Sequence, residues 1–220
     1  MENTQLTLAG NLPGVTAHMA MVPPTRRGIL EKQIVPEDAR QAAVLALLVP
    51  PHAGLWNVVT PEWRVLLTRR AVYNGPHSGQ ISFPGGGRED VDADLWDTAL
   101  RETNEEVGIT LDRSLGHAAL SPYYIPVSNA LVQPFVACLA GTPAFHPDKV
   151  ETITCKWVPL RMLNPALALL ADFPSGNLIM TQAPYWQVED YRIWGATAMI
   201  LSELYTLVAA RALLLEDEGT

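Results

Sequence analysis

The spacing of hydrophobic residues predicts a chain in which short strands alternate with helices. Residues 41–49 and 63–68 form apolar runs bounded by polar residues or prolines, a pattern typical of buried strands. We expect these two runs to pair as a hairpin with a long connection. Further strands are expected over residues 130–139 and in the stretch that closes at Leu160, and a second hairpin over residues 178–188.

One helix is predicted with well-defined ends. Apolar residues recur every three or four positions over residues 95–107, so they form one face that would pack on a core. Asp92 or Asp94 can cap the first turn through its carboxylate. Gly108 stands where a left-handed residue would end the helix.

The rest of the chain is divided by its prolines and its helical spacing. Residues 1–40 are rich in turns, and we interpret them as an N-terminal arm that packs on the domain or helps to form a homodimer. We expect residues 41–215 to form the main domain. A short helix is expected over residues 162–170, and a longer one follows residue 198 and continues to about residue 215.

Composition indicates a soluble globular protein. Its 220 residues are 48% hydrophobic and 17% charged, with a formal net charge of −8 at pH 7. That charge argues against nucleic acid as a partner, because phosphate backbones require clustered lysine and arginine. We expect no membrane span and no signal peptide. Cys138 and Cys155 are expected to be reduced, which together with these features predicts a cytoplasmic protein.

Three carboxylates give the predicted helix its chemistry. Glu102, Glu105 and Glu106 lie at helical positions i, i+3 and i+4, so they share one arc of the surface. Such like charges repel one another unless a cation lies between them, and hard cations such as Mg²⁺ prefer oxygen ligands. Residues 85–87 are three glycines just before this helix, and they allow backbone to approach another group closely.

Together these features resemble the Nudix box, G-x5-E-x7-R-E-U-x-E-E-x-G-U with U aliphatic. Residues 101–109 read RETNEEVGI and match its second half, with Thr103 in place of the first aliphatic residue. The first half departs from the pattern. Counted forward from Gly86, the glutamate position holds Asp92 and the interval to the arginine is one residue too long; counted backward from the arginine, it holds Ala93.

The longer loop and the preceding segment resemble the coenzyme A pyrophosphatase subgroup of that family. Its signature, similar to LLTxRSxxLRxHxGQxxFPGG, corresponds to residues 66–86, which read LLTRRAVYNGPHSGQISFPGG. Gly75 stands where many members have an arginine. If that arginine holds a substrate phosphate, this chain must use another cation, and Arg70 and Arg88 are the nearby ones.

The resemblance implies a Nudix α/β/α sandwich, with a mixed sheet between the box helix and a C-terminal helix. It also implies a metal-dependent diphosphatase that cleaves coenzyme A or its derivatives to 3′,5′-ADP and 4′-phosphopantetheine. Mg²⁺ or Mn²⁺ would be held by Glu102, Glu105, Glu106 and the carbonyl of Gly86, while Arg101 would orient a glutamate.

Several further roles stay open. The general base is Glu105, Glu151 or a hydroxide on the metal. Substrate binding is assigned to the following residues: Arg70, His77, Gly85, Gly86 and Tyr123. Ordinary structural roles also fit Arg70, His77, Tyr123 and Glu151.

Two other functions remain compatible with the sequence. The same chemistry can act on another nucleoside diphosphate derivative, such as ADP-ribose or NADH, which Gly75 favours. A non-catalytic module that binds a nucleotide to regulate a partner is favoured by the missing early glutamate. The intact series Arg101, Glu102, Glu105 and Glu106 weighs against it, because a binding module does not need four charged groups in catalytic order.

Overall fold

The computed structural model describes residues 4–30, 34–54, 56–72, 78–147, 152–174 and 180–217. The strands are β1 (Thr4–Leu8), β2 (Arg40–Val49), β3 (Arg64–Arg70), β4 (Ile81–Ser82), β5 (Gly85–Gly87), β6 (His117–Ala119), β7 (Tyr123–Ile125), β8 (Ala130–Cys138), β9 (Thr152–Pro159), β10 (Leu169–Pro174), β11 (Met180–Val188), β12 (Tyr191–Trp194) and β13 (Leu213–Asp217). The helices are α1 (Gly14–His18), α2 (Arg27–Leu30), α3 (Leu95–Val107) and α4 (Gly195–Ala209), with 3-10 turns at Met19–Met21, Pro24–Arg26, Pro126–Ser128, Leu160–Leu163 and Pro165–Leu167.

A mixed sheet forms the centre of the molecule. Its strands run in the order β4-β3-β2-β8-β6, and β5, β7 and β9 pair with β2, β8 and β3 respectively. Strands β2 and β8 are parallel from the pair Arg40–Ala130 to the pair Leu48–Cys138. The other described pairs of this sheet are antiparallel, including the predicted hairpin of β2 and β3, where Leu48 lies opposite Val65.

The two long helices cover opposite faces of this sheet. Successive side chains of a strand point to opposite faces. Accordingly Leu45 and Leu47 of β2 pack in one cluster with Trp96 of α3, whereas Leu48 packs in another cluster with Leu204 of α4. This arrangement confirms the expected α/β/α sandwich. In the described part of the chain, no helix is long and apolar enough to cross a membrane.

The ends of α3 are fixed as its sequence predicts. The side chain of Asp94 accepts a hydrogen bond from the N–H of Asp97 at 2.9 Å, so Asp94 rather than Asp92 is the cap. Gly108 has a φ of 68°, and a Cβ there would lie 2.9 Å from the carbonyl oxygen of His146. Glycine is therefore required both by the left-handed turn and by the close backbone.

The expected short helix over residues 162–170 is wrong. The chain forms two 3-10 turns there and then enters β10, which pairs with β11. Pro165 is the physical cause, because proline disfavours helical backbone in the residue before it and lacks an N–H. Asn164 is accordingly extended, with φ −64° and ψ 123°, and its side chain caps the N–H of Ala166.

The expected extension of the last helix to residue 215 is also wrong. Helix α4 ends at Ala209, and Arg211 takes a φ of 56°, which interrupts the helix. The chain then forms β13 and pairs antiparallel with β1, so that Leu6 lies opposite Leu215. This pairing buries Leu213 and Leu215. The spacing of apolar residues here fits a helix as well as a strand, so the sequence pattern did not distinguish the two.

The N-terminal segment is attached to α4 through a buried carboxylate. Glu203 is fully buried, and its oxygens accept hydrogen bonds from the N–H of Gly14 at 3.1 Å and the hydroxyl of Ser121 at 2.6 Å. His18 Nε2 lies 3.0 Å from the same carboxylate. Burial alone would raise the pKa of Glu203, but the hydrogen bonds with His18 and Ser121 outweigh it and lower the pKa.

We therefore predict that Glu203→Ala destabilises the fold by about 3 kcal/mol, because it leaves buried donors without an acceptor. The free energy of unfolding at pH 7, from urea denaturation, measures this. Glu62→Ala is the control, since Glu62 forms an exposed ion pair with Arg161 at 3.1 Å and should cost less than about 1 kcal/mol. Equal losses in the two variants would contradict the anchoring role.

Candidate active site

The glycine segment is brought to α3 by β2. Phe83 is buried, and the carbonyl of Pro84 accepts a hydrogen bond from the N–H of Leu45 at 2.9 Å. Strand β5 then pairs with β2, with Gly85 opposite Val44. Gly85 has a φ of 151°, and a Cβ there would lie 2.3 Å from the carbonyl oxygen of Ala43. Only glycine fits, and the result is a backbone held against the central strand.

Gly86 lies directly against the carboxylate of Glu102. A Cβ at Gly86 would come within 2.5 Å of the carboxyl carbon and Oε1 of Glu102. The absence of a side chain at Gly86 thus creates the space that this carboxylate occupies. The Glu102 side chain is largely buried, with 14% of its surface exposed.

Glu106 is the buried carboxylate of the site. It is 2% exposed, and its Oε2 accepts a hydrogen bond from the N–H of Gly85 at 3.2 Å. Its Oε1 lies 3.6 Å from Nη1 of Arg70, which is partly exposed at the end of β3. Burial and the charge of Glu106 raise the pKa of the neighbouring Cys155 to about 12, so that thiol stays protonated at neutral pH.

Arg101 connects the acidic residues of the site. Its Nη1 lies 3.0 Å from Oε1 of Glu102 and 3.0 Å from Oε2 of Glu105. Its Nη2 donates to the carbonyl of Gly87 at 2.9 Å. Nε and Nη2 form a two-pronged contact with Asp92, each at 3.0 Å. One guanidinium therefore fixes two glutamates of α3 relative to the glycine segment.

Asp92 is the residue that sequence reasoning missed as a member of the site. It is 5% exposed, and it also accepts hydrogen bonds from the N–H of Glu89 and the hydroxyl of Thr98, both at 2.9 Å. The hydrogen bonds from Arg101 hold the pKa of Asp92 well below its usual range, although burial opposes them. Its position six residues after Gly86, where the Nudix pattern has glutamate, was the available signal.

The donor set fits a hard divalent cation. Mg²⁺ usually keeps water and is bound by one or two carboxylates together with substrate phosphates. Within the described residues, no three His, Cys, Asp or Glu side chains come together as a complete metal site. Glu102 and Glu106 supply carboxylates one helical turn apart, and the space left by Gly86 keeps the first of them against backbone. These residues fit Mg²⁺ or Mn²⁺ whose remaining ligands are water and phosphate.

Of the other predicted site residues, Tyr123 lies apart from this cluster and Glu105 contacts it through Arg101. Tyr123 packs against the core on the α4 side of the sheet, with its ring 5.5 Å from that of His18. The Glu105 side chain is 55% exposed and contacts Arg101. His77 and Glu151 lie outside the described residues, as does Gly75.

Comparisons with known proteins found a matching family model and related sequences. The model of the NUDIX domain matches residues 48–179. A protein named uncharacterized Nudix hydrolase NudL, from Pectobacterium atrosepticum, is 30% identical over 202 residues, covering 90% of this chain and 94% of that protein. A protein of the same name from Cronobacter sakazakii is 32% identical over 209 residues, covering 93% and 96%.

A solved structure supports the fold alone. The MutT/nudix family protein from Enterococcus faecalis has a TM-score of 0.53 and 14% sequence identity, covering 93% of this chain and 76% of that chain. The family match spans more than half of the chain, and the relatives extend over nearly all of it. The chain therefore belongs to the Nudix hydrolase family of pyrophosphohydrolases.

Proposed function

We propose that the chain is a metal-dependent diphosphatase that cleaves coenzyme A or its derivatives to 3′,5′-ADP and 4′-phosphopantetheine. The observation that carries the proposal is the contact between Gly86 and Glu102, beside buried Glu106 and its partner Arg70. Two carboxylates and one arginine at a glycine turn suit a substrate that brings both phosphate and a divalent cation.

Each residue of the cluster has a distinct task in this proposal. Glu102 and Glu106 hold Mg²⁺ or Mn²⁺, which supplies charge neutralisation on the diphosphate and acidifies water when bound. Arg70, whose side chain is 31% exposed, offers hydrogen-bond donors to a phosphate next to Glu106. Arg101 keeps Glu102 in place through the 3.0 Å contact, so the carboxylate does not need to reorganise during the reaction.

The candidates for the general base are still Glu105, Glu151 and a hydroxide on the metal. Glu105 is exposed, and its Oε2 lies 3.0 Å from Nη1 of Arg101. Glu151 is the second candidate, as a carboxylate arriving from outside the helix. His77 remains a prediction for substrate binding, as do Gly85 and Tyr123.

The coenzyme A assignment rests on the segment before the glycine turn. Thr68 donates to the carbonyl of Ser82 at 3.3 Å, and the N–H of Arg70 donates to the carbonyl of Gln80 at 3.0 Å. Through these contacts, residues of the subgroup signature hold β3 and β4 in register and bring Arg70 to Glu106. Contacts of the signature residues therefore support the phosphate site directly. The choice of coenzyme A as substrate is supported only by the resemblance of the signature.

Product analysis tests the substrate. We expect mass spectrometry to detect 3′,5′-ADP and 4′-phosphopantetheine from coenzyme A with Mg²⁺, and neither without it. Glu106→Gln should lower kcat at least about 100-fold while the protein stays folded, because a ligand of the metal matters more than the groups that support it. Glu62→Gln, on the far surface, is the matched control.

The same assay separates the alternatives. Turnover of ADP-ribose or NADH equal to or better than that of coenzyme A would reject coenzyme A as the preferred substrate. Normal turnover by Glu106→Gln would reject the assignment of the site. An absence of hydrolysis with every diphosphate, together with nucleotide binding, would favour a non-catalytic module.

A second prediction concerns Asp92. We expect Asp92→Asn to lower kcat about 10- to 100-fold with little change in KM, because Arg101 loses its two-pronged contact with a charged carboxylate and Glu102 is then held less firmly. The lowered pKa of Asp92 contributes stability above its ordinary pKa, and this contribution is lost as the pH falls below about 4. The difference in unfolding free energy between wild type and Asp92→Asn should therefore be largest near neutral pH and shrink in acid.

Asp112→Asn is the matched control, because Asp112 is exposed and, within the described residues, its side chain bonds only to Ser114. It should leave kcat unchanged. If Asp92→Asn has wild-type kcat at pH 7, Asp92 does not position the catalytic arginine.

A further inference from the structure

An open groove of about 520 Å³ begins at Gly87, one residue after the glycine that contacts Glu102. The residues that line it come from the start of β2, the end of β5 and the loop after β5: Arg40, Gln41, Gly87, Arg88, Glu89 and Asp90. The N–H of Arg88 donates to the carbonyl of Gln41 at 2.9 Å, so the two sides are joined by backbone. A ligand whose diphosphate sits at Gly86 can extend directly into this groove.

The two arginines of the groove are held in place by hydrogen bonds to backbone carbonyls. Nη2 of Arg40 donates to the carbonyl of Ser128 at 2.8 Å. Nη2 of Arg88 donates to the carbonyls of Asp92 at 3.2 Å and Ala93 at 3.1 Å. A guanidinium has five N–H donors, and in the described residues these bonds engage a single nitrogen of each arginine. The remaining donors are pre-organised for an anion, at a reduced cost in side-chain entropy.

Within the part of the chain that the structure describes, no ion pair cancels the charge of these arginines. Among the described residues, neither Arg40 nor Arg88 has a carboxylate within ion-pair distance, whereas Arg101 has four. Both acidic residues of the groove, Glu89 and Asp90, are exposed, and in the described part of the chain neither forms an ion pair with Arg40 or Arg88. Glu89 lies 3.9 Å from Nη1 of Arg101, on the α3 side, and its side chain is 63% exposed.

We propose that this groove binds a phosphomonoester carried by one of the two organic groups that the diphosphate joins. Arg40 and Arg88 would bind it. This inference rests on the proposed function, in which that group is the 3′-phosphate of coenzyme A. A phosphate accepts paired N–H donors from guanidinium groups, which matches two anchored arginines better than it matches a sugar or an uncharged base. The groove would then select coenzyme A over diphosphates that lack the third phosphate.

The test compares coenzyme A with 3′-dephospho-coenzyme A, which differs in that phosphate alone. We expect wild type to prefer coenzyme A in kcat/KM, and the ratio of the two values to fall about tenfold in each of Arg40→Gln and Arg88→Gln. Arg161→Gln removes an exposed arginine that pairs with Glu62, and it should leave the ratio unchanged.

The ratio separates recognition from damage to the fold. Arg88 also supports the loop that carries Asp92, and a structural defect would lower turnover of both substrates equally. An unchanged ratio in both variants would therefore overturn the groove assignment while leaving coenzyme A hydrolysis intact. If wild type does not hydrolyse coenzyme A at all, the proposed function fails and this inference fails with it.

Discussion

The site depends on the close approach of two glycines to two glutamates. Gly85 is pressed against the backbone of β2, and its N–H binds Glu106, while Gly86 lies against the carboxylate of Glu102. A side chain at Gly85 would clash with the backbone of β2, and one at Gly86 would displace the Glu102 carboxylate. The position of the glycine turn relative to α3 therefore depends on β2, because β2 pairs with the turn and packs on α3 through Leu45.

Electrostatics explains how several acids share this small volume. Arg101 contacts Asp92 with two nitrogens and reaches both Glu102 and Glu105, so that one cation offsets several carboxylates. Arg70 does the same for buried Glu106. A bound divalent cation would add to this neutralisation. A chain with a formal net charge of −8 can thus accept an anionic substrate at one locally balanced site.

Sequence reasoning reached the parts that follow from local patterns. The strands β2, β3 and β8, the capped helix α3 and the sandwich all follow from periodicity, caps and the resemblance. Residues that depend on tertiary contacts were harder to predict. Asp92 resembles a helix cap until Arg101 is seen to bind it, and the pairing of β13 with β1 overrides a helical pattern at Leu215. Pro165 was a visible helix-breaking signal inside a segment interpreted as helix.

We propose that the space at Gly86 positions Glu102 to hold a divalent cation. Mn²⁺ binding followed by electron paramagnetic resonance tests this in Gly86→Ala, whose new methyl group would displace the Glu102 carboxylate but not the backbone. We expect Mn²⁺ affinity at least about tenfold weaker than in wild type, with unchanged thermal stability. Wild-type affinity in a folded Gly86→Ala protein would contradict it.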